Sequence, residues 1–211
     1  MSVMIALLRG VNLGGNKMVR MEDLRGLCGK LGFECAQTYV QSGNVVFRSK
    51  ERNTKRVADA LKAAIAKKCG VECEVMVRTL EEMKDAAARN PFARRRDLDG
   101  SRMLITFVLD TLNAEERAAI EAVVLTPDEL IVQERETYAY YPNGFANGAK
   151  AWPGVNKVMK TRGTGRNWNT VRKLVEMAEA LESGVTPTLA RKGNLIAVKK
   201  NAKRPRASRK S

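Results

Sequence analysis

The sequence predicts an α/β protein: two β-α-β-β-α-β sandwiches in tandem, followed by a basic, disordered tail. Three observations predict it. Short β-rich apolar runs alternate with stretches whose apolar residues recur at helical spacing, and the order of these runs repeats in the two halves. Residues 191–211 then hold nine basic residues and no acidic one.

Each element has its own signal. Val3 to Leu8 is an uninterrupted apolar run, partly β-branched, and reads as a buried strand. Met21, Leu24, Leu27, Cys28 and Leu31 recur at helical spacing, with Gly32 as the stop. "CAQTYV" and "VVFR" are strand-like and flank "QSGN", a hairpin signal. Thr54 is placed to cap a helix whose apolar face is Val57, Ala58, Leu61, Ala64 and Ile65, ending at Gly70. "CEVMVR" is a strand, and "TLEEMKDAAARNP" is a helix with Glu82 in the capping-box position, stopped before Pro91. This order is the split βαβ, or ferredoxin-like, unit.

The second unit starts at Arg102 with the strand "RMLITFVL" and a helix capped by Asn113. "ELIVQER" and "TYAYYP" pair as a hairpin, and helical segments follow near Lys150 to Met159 and from Thr170 to Glu182. The division expected is a first ferredoxin-like subdomain at 1–92, a basic solvated linker at 93–101, a second subdomain at 102–185 and a basic extension at 186–211.

Composition excludes several function classes. The 211-residue chain has no histidine, which removes Ser-His and Cys-His nucleophile pairs and any imidazole acid or base. Cys28, Cys35, Cys69 and Cys73 match neither paired zinc spacing nor a redox motif, so reduced thiols are expected and no metal. The first apolar run is too short and is followed at once by Arg9, which argues against a signal peptide or membrane span and for a cytoplasmic protein. The net charge of +15 is uneven: residues 1–136 carry 22 basic against 20 acidic residues, residues 137–211 carry 16 against 3.

Two constellations carry the functional expectation. In the first, the loop "RGVNLGGNK" and the turn "QSGN" fall at one end of the first sheet. Arg9, Asn12, Asn16, Lys17, Gln41, Ser42 and Asn44 then converge with backbone amides freed by Gly10, Gly14, Gly15 and Gly43, an arrangement suited to an anion. The spacing is not that of a P-loop. The structural alternative is that the glycines only permit positive φ and that Asn44 shares a type I′ turn with Gly43. In the second, Asn169 or Thr170 caps a helix, with Arg166, Asn167 and Trp168 just before its positive end, where arginine meets phosphate and indole meets a ring. Its alternative is that Trp168 docks on the core and Arg166 is solvated.

The stretches "ALLRGVNLGG", "TYVQSGNVVF", "NPF" at 90–92 and "RNWNTVRKL" together resemble a bacterial family catalogued as a domain of unknown function, number 1697. The resemblance runs in order from about residue 3 to residue 182 and implies two ferredoxin-like subdomains. It brings no activity and no cofactor. Matching positions are Arg9, Gly10, Asn12, Gly14, Gly15, Thr38, Tyr39, Gln41 to Asn44, and Arg166 to Thr170. The chain departs at Ala149-Lys150-Ala151, where relatives often carry Ser-Lys-Leu.

Three functions follow. The first is a cleft binding a phosphorylated small molecule or nucleotide, with Arg9 and Arg166 on the phosphate and Tyr39 or Trp168 on the ring. The second is sequence-independent nucleic-acid binding through the basic C-terminal part, including Lys150, Lys157, Lys160, Arg162 and Arg166. The third is a scaffold without catalysis. The first strand has no aromatic residue and "NVVFR" lacks the RNP1 pattern, which argues against base stacking across the sheet.

Overall fold

The computed structural model describes residues 1–14, 18–95, 97–123, 126–145, 155, 159 and 162–184. The first half contains β1 (Ser2–Leu8), α1 (Met21–Lys30), β2 (Glu34–Tyr39), β3 (Asn44–Ser49), α2 (Thr54–Cys69), β4 (Val75–Thr79) and α3 (Leu80–Ala88). Two short 3-10 turns, Pro91–Arg94 and Gly100–Arg102, lead into the second half. There β5 (Met103–Val108), α4 (Ala114–Glu121), β6 (Glu129–Val132), β7 (Glu136–Tyr140), β8 (Gly163–Asn167) and α5 (Trp168–Glu182) follow.

Each half carries a four-stranded antiparallel sheet, ordered β2-β3-β1-β4 and β6-β7-β5-β8. The first sheet is covered on both faces. Met4, Ala6 and Leu8 meet α1 and α2 on one side, while Val3, Ile5 and Leu7 face the other. That double burial is why β1 reads as continuous apolar sequence rather than as alternation.

The inner face packs on α3 and α5, and these two helices also meet Met103, Ile105, Phe107, Tyr138 and Tyr140 of the second sheet. The layers therefore run α1/α2, first sheet, α3/α5, second sheet, α4. Helix α5 buries Val171, Leu174, Met177, Ala178 and Leu181 between the two sheets. Each large side chain so buried contributes about 1.5–3 kcal/mol, so the two halves share one core.

Caps follow local chemistry, with two displacements. Thr79 with Glu82 and Asn113 with Glu116 form capping boxes. The cap of α2 is Asn53, whose side chain accepts from the Arg56 amide, and Thr54 is the first helical residue. The cap of α5 is Asn167 rather than Asn169 or Thr170, because its side chain already accepts from the Asn169 amide. The helical segment expected near Lys150 to Met159 lies outside the described residues apart from Val155 and Met159, which are buried. No helix among the described residues is long and apolar enough to cross a membrane.

Candidate functional site

The loop after β1 and the turn after β2 meet, as their placement at one sheet end requires. The Leu8 amide donates to the Gly43 carbonyl at 2.8 Å. Asn12, at φ +58, bridges the two segments: its Nδ2 donates to Gln41 O at 2.6 Å and Val19 O at 2.9 Å, and its Oδ1 accepts from the Val19 amide. Gly43 is needed at its position. Its φ is +74, and a Cβ there would lie 2.6 Å from Leu8 Cβ and 2.7 Å from Val11 Cγ2. Gly10 and Gly14 also have positive φ but have open space around them. Gly15, Asn16 and Lys17 lie outside the described residues.

Asn44 does not share the turn with Gly43; it opens β3, fully buried, opposite Tyr39. Its Nδ2 donates to Tyr39 O at 3.1 Å and Ser42 Oγ at 2.9 Å, which leaves Oδ1 facing inward as an acceptor. Arg166 fills it. This residue sits on β8, a strand that pattern reasoning missed because "GTGRN" has no apolar run. Its only signal is the alternation of Thr164 and Arg166, both buried, with glycines at 163 and 165. A Cβ on Gly163 would meet Thr106 Cγ2 at 2.8 Å, so glycine allows β8 to lie against β5.

The Arg166 guanidinium is 7 % exposed and spends all five N–H groups on protein acceptors. Nε donates to Asn44 Oδ1 at 2.5 Å; Nη1 donates to Thr164 Oγ1 and Gly165 O; Nη2 donates to Leu8 O and Ser42 O. Burial pulls its pKa down to about 10, still far above neutrality, so the cation persists at physiological pH. It ties the second half to the end of β1 and the turn of the first half.

The remaining motif residues divide between two surface depressions. Arg9, whose Nε donates to Gly163 O at 3.0 Å, lines a cleft of about 760 Å³ with Gly10, Lys62, Asp59, Glu72 and Glu74. Tyr39 and Asn169 line a second pocket of about 380 Å³ together with Arg172, Lys173 and Glu176. Lys173 pairs with Glu176 at 3.0 Å, whereas Arg172 has no hydrogen bond or ion pair among the described residues. Asn167 donates to Ser101 O at 2.6 Å, which holds the start of α5 to the turn before β5. Trp168 is half-buried against the shared core beside Gly100, and Thr170 is half-buried in the first turn of α5. Gln41 is exposed at the tip.

Sequence reasoning did not find a third group of charges between the halves. Arg78 and Glu136 are buried, Arg135 pairs with Glu82 at 2.7 Å, and Arg89 pairs with Glu136 at 3.0 Å. Burial raises the Glu136 pKa. Burial also pushes Glu82 upward, but the Thr79 amide and Arg135 outweigh it and hold Glu82 below its usual value. No cluster of three or more Cys, Asp or Glu able to hold a metal occurs among the described residues.

The model of the family described as protein of unknown function (DUF1697) matches residues 1–138, and the chain belongs to that family. Among solved structures, the chain is similar to the conserved bacterial protein SP0830 from Streptococcus pneumoniae. The two are 24 % identical with a TM-score of 0.69, over 85 % of this chain and 99 % of the other. No curated protein matches the chain.

Proposed function

We propose that this member of the DUF1697 family binds a phosphorylated small molecule or nucleotide in the pocket between Tyr39 and the first turns of α5. One observation carries the reading. A single pocket draws a phenol ring from the "TYVQSGN" segment and, from "RNWNTVRKL", an amide, a guanidinium with no partner among the described residues (Arg172) and an ammonium (Lys173) that pairs with Glu176 at the pocket's edge. Its volume of about 380 Å³ falls in the range that small ligands occupy, roughly 300–1,000 Å³. Asn169, in the first turn of this 15-residue helix, brings the positive end of the helix to the pocket beside Arg172. Asn44 and Arg166 act as positioning residues, holding Tyr39 and Asn169 to one another across the two halves.

The test is calorimetric titration of AMP, ADP and inorganic phosphate into the wild type, Arg172→Ala and Tyr39→Leu. Arg172→Ala weakens all three by about tenfold, the equivalent of one charge-assisted hydrogen bond. Tyr39→Leu weakens the nucleotides and leaves phosphate unchanged. Affinities equal in all three proteins, or no saturable binding, would overturn the reading.

We also read each half as ferredoxin-like, with subdomains at 1–92 and 102–185. The strand order β2-β3-β1-β4, its repetition as β6-β7-β5-β8 and the antiparallel pairing throughout support this.

A further inference from the structure

Among the described residues, two arginines are buried without a carboxylate partner, and the protein treats them differently. Arg166 spends five donors on five acceptors. Arg78, on β4 and 4 % exposed, has the same five donors but makes two hydrogen bonds. Its Nη2 donates to Val108 O at 2.7 Å, and its Nη1 reaches the carbonyl of its own neighbour, Val77, at 3.3 Å. Its Nε is buried and has no partner among the described residues. The nearby carboxylates of Glu82 and Glu136 pair with Arg135 and Arg89 instead. A buried donor left unmade carries a desolvation cost with nothing to offset it, and folded proteins leave few such groups.

Arg78 lines a cleft of about 420 Å³ between α2 and β4, an edge strand of the first sheet, closed on the far side by Leu109, Asp110 and Arg135. Arg135 brings a second guanidinium to the same space. Burial and the Arg135 charge both depress the Arg78 pKa, so an anion there relieves two strains together. Two of the acidic residues lining the cleft are already answered: Asp59 by Lys55 at 3.2 Å and Glu74 by Lys62 at 2.5 Å. Asp110 has no partner among the described residues.

We propose that this cleft is an oxyanion site, in which a phosphate or carboxylate group of a small ligand accepts from the Nη hydrogens of Arg78 that Val77 and Val108 leave unused, with Arg135 beside it. The planar guanidinium fork suits both groups. Asp110 selects among them, because it faces the same space and accepts from a hydroxyl or amino group on the same ligand. Among the described residues the site shares no lining residue with the Tyr39 pocket, and it stands at the opposite edge of the first sheet.

The test is a two-dimensional spectrum of the arginine Nε–H groups of the full chain, titrated with inorganic phosphate and, separately, with malonate at constant ionic strength. The Arg78 signal moves saturably with at least one of the two probes, and the tighter probe identifies the group; the Arg166 signal, whose donors are all occupied, stays fixed. Since Arg78 is buried and its replacement risks unfolding, affinity is read on half-exposed Arg135 and on Asp110. Read on the Arg78 signal, Arg135→Gln weakens binding at least tenfold and Asp110→Asn tightens plain phosphate two- to threefold. A static Arg78 signal with both probes, or an affinity that Arg135→Gln does not alter, overturns the proposal.

Discussion

Arg166 Nε donates to Asn44 Oδ1 at 2.5 Å, and this one bond joins residues 122 positions apart on opposite halves of the protein. Neither group has an alternative partner, because Asn44 commits its amide nitrogen to Tyr39 and Ser42 and Arg166 commits its other donors to four further acceptors. Arg166→Leu strips five acceptors at once and is expected to cost about 3 kcal/mol or more. Asn44→Leu leaves a buried cation short of one acceptor. A double-mutant cycle in urea should give a coupling of about 1–3 kcal/mol; additivity would show that the two side chains act separately.

The glycines of the two loops differ in what they do, and alanine substitution should separate them. Gly43 combines φ +74 with a blocked Cβ position, so Gly43→Ala is expected to destabilise by about 2–4 kcal/mol. Gly10, at φ +65 in open space, loses only its conformational preference, about 1 kcal/mol in Gly10→Ala. Equal midpoints of thermal unfolding for the two variants would contradict the crowding assigned to Gly43.

How much of this was legible follows from which groups face what. Strands such as Val3–Leu8 announce themselves because two helical layers cover the sheet that holds them, and amphipathic helices do so because one face meets that sheet. Strand β8 does not, since its partner β5 accepts two glycines and its inward side chains are Thr164 and Arg166. Two helix starts are misplaced because "RNT" and "RNWNT" offer more than one competent cap, and geometry selects Asn53 and Asn167. Arg166 ties its motif to the other two, but nothing in a sequence says that an arginine will spend every donor on the chain itself. The depressions beside that knot depend on Arg172 and Arg78, neither of which any spacing rule singles out.

Glu82 gives the fold an acid-sensitive point. Its pKa in the folded protein lies below the ordinary glutamate value, so its contribution is fully present above that ordinary value and is lost as pH falls through the folded pKa. The carboxylate closes the Thr79 capping box and pairs with Arg135, so Glu82→Gln should cost about 1 kcal/mol at pH 7. Urea midpoints of wild type and variant should converge as pH is lowered below about 4. A gap that persists at pH 2.5 would assign the loss to packing rather than charge.

Thiol reactivity should single out Cys35. It is exposed, at φ +54, whereas Cys28 and Cys73 are buried and burial pushes the Cys28 pKa up to about 12. In native conditions a chromogenic disulfide reagent should react rapidly with one thiol, and Cys35→Ser should abolish that phase. Survival of the fast phase in the variant would place the reactive thiol elsewhere.

The uneven charge makes a separate prediction about polyanions. Residues 191–211 supply nine of the cations in a chain of net charge +15, which leaves +6 on residues 1–190. If these nine cations engage about six phosphates of a short duplex, affinity falls by roughly 10³ between 50 and 200 mM salt, with no preference for sequence. A chain truncated after residue 190 should then lose duplex binding at physiological salt while keeping its affinity for AMP, because the described lining of the pocket, Tyr39, Asn169, Arg172, Lys173 and Glu176, is retained. Retained duplex binding with a shallower salt slope would instead put phosphate contacts on the folded part. Arg172→Ala in the truncated chain would then show whether the nucleotide pocket and the duplex compete for the same guanidinium.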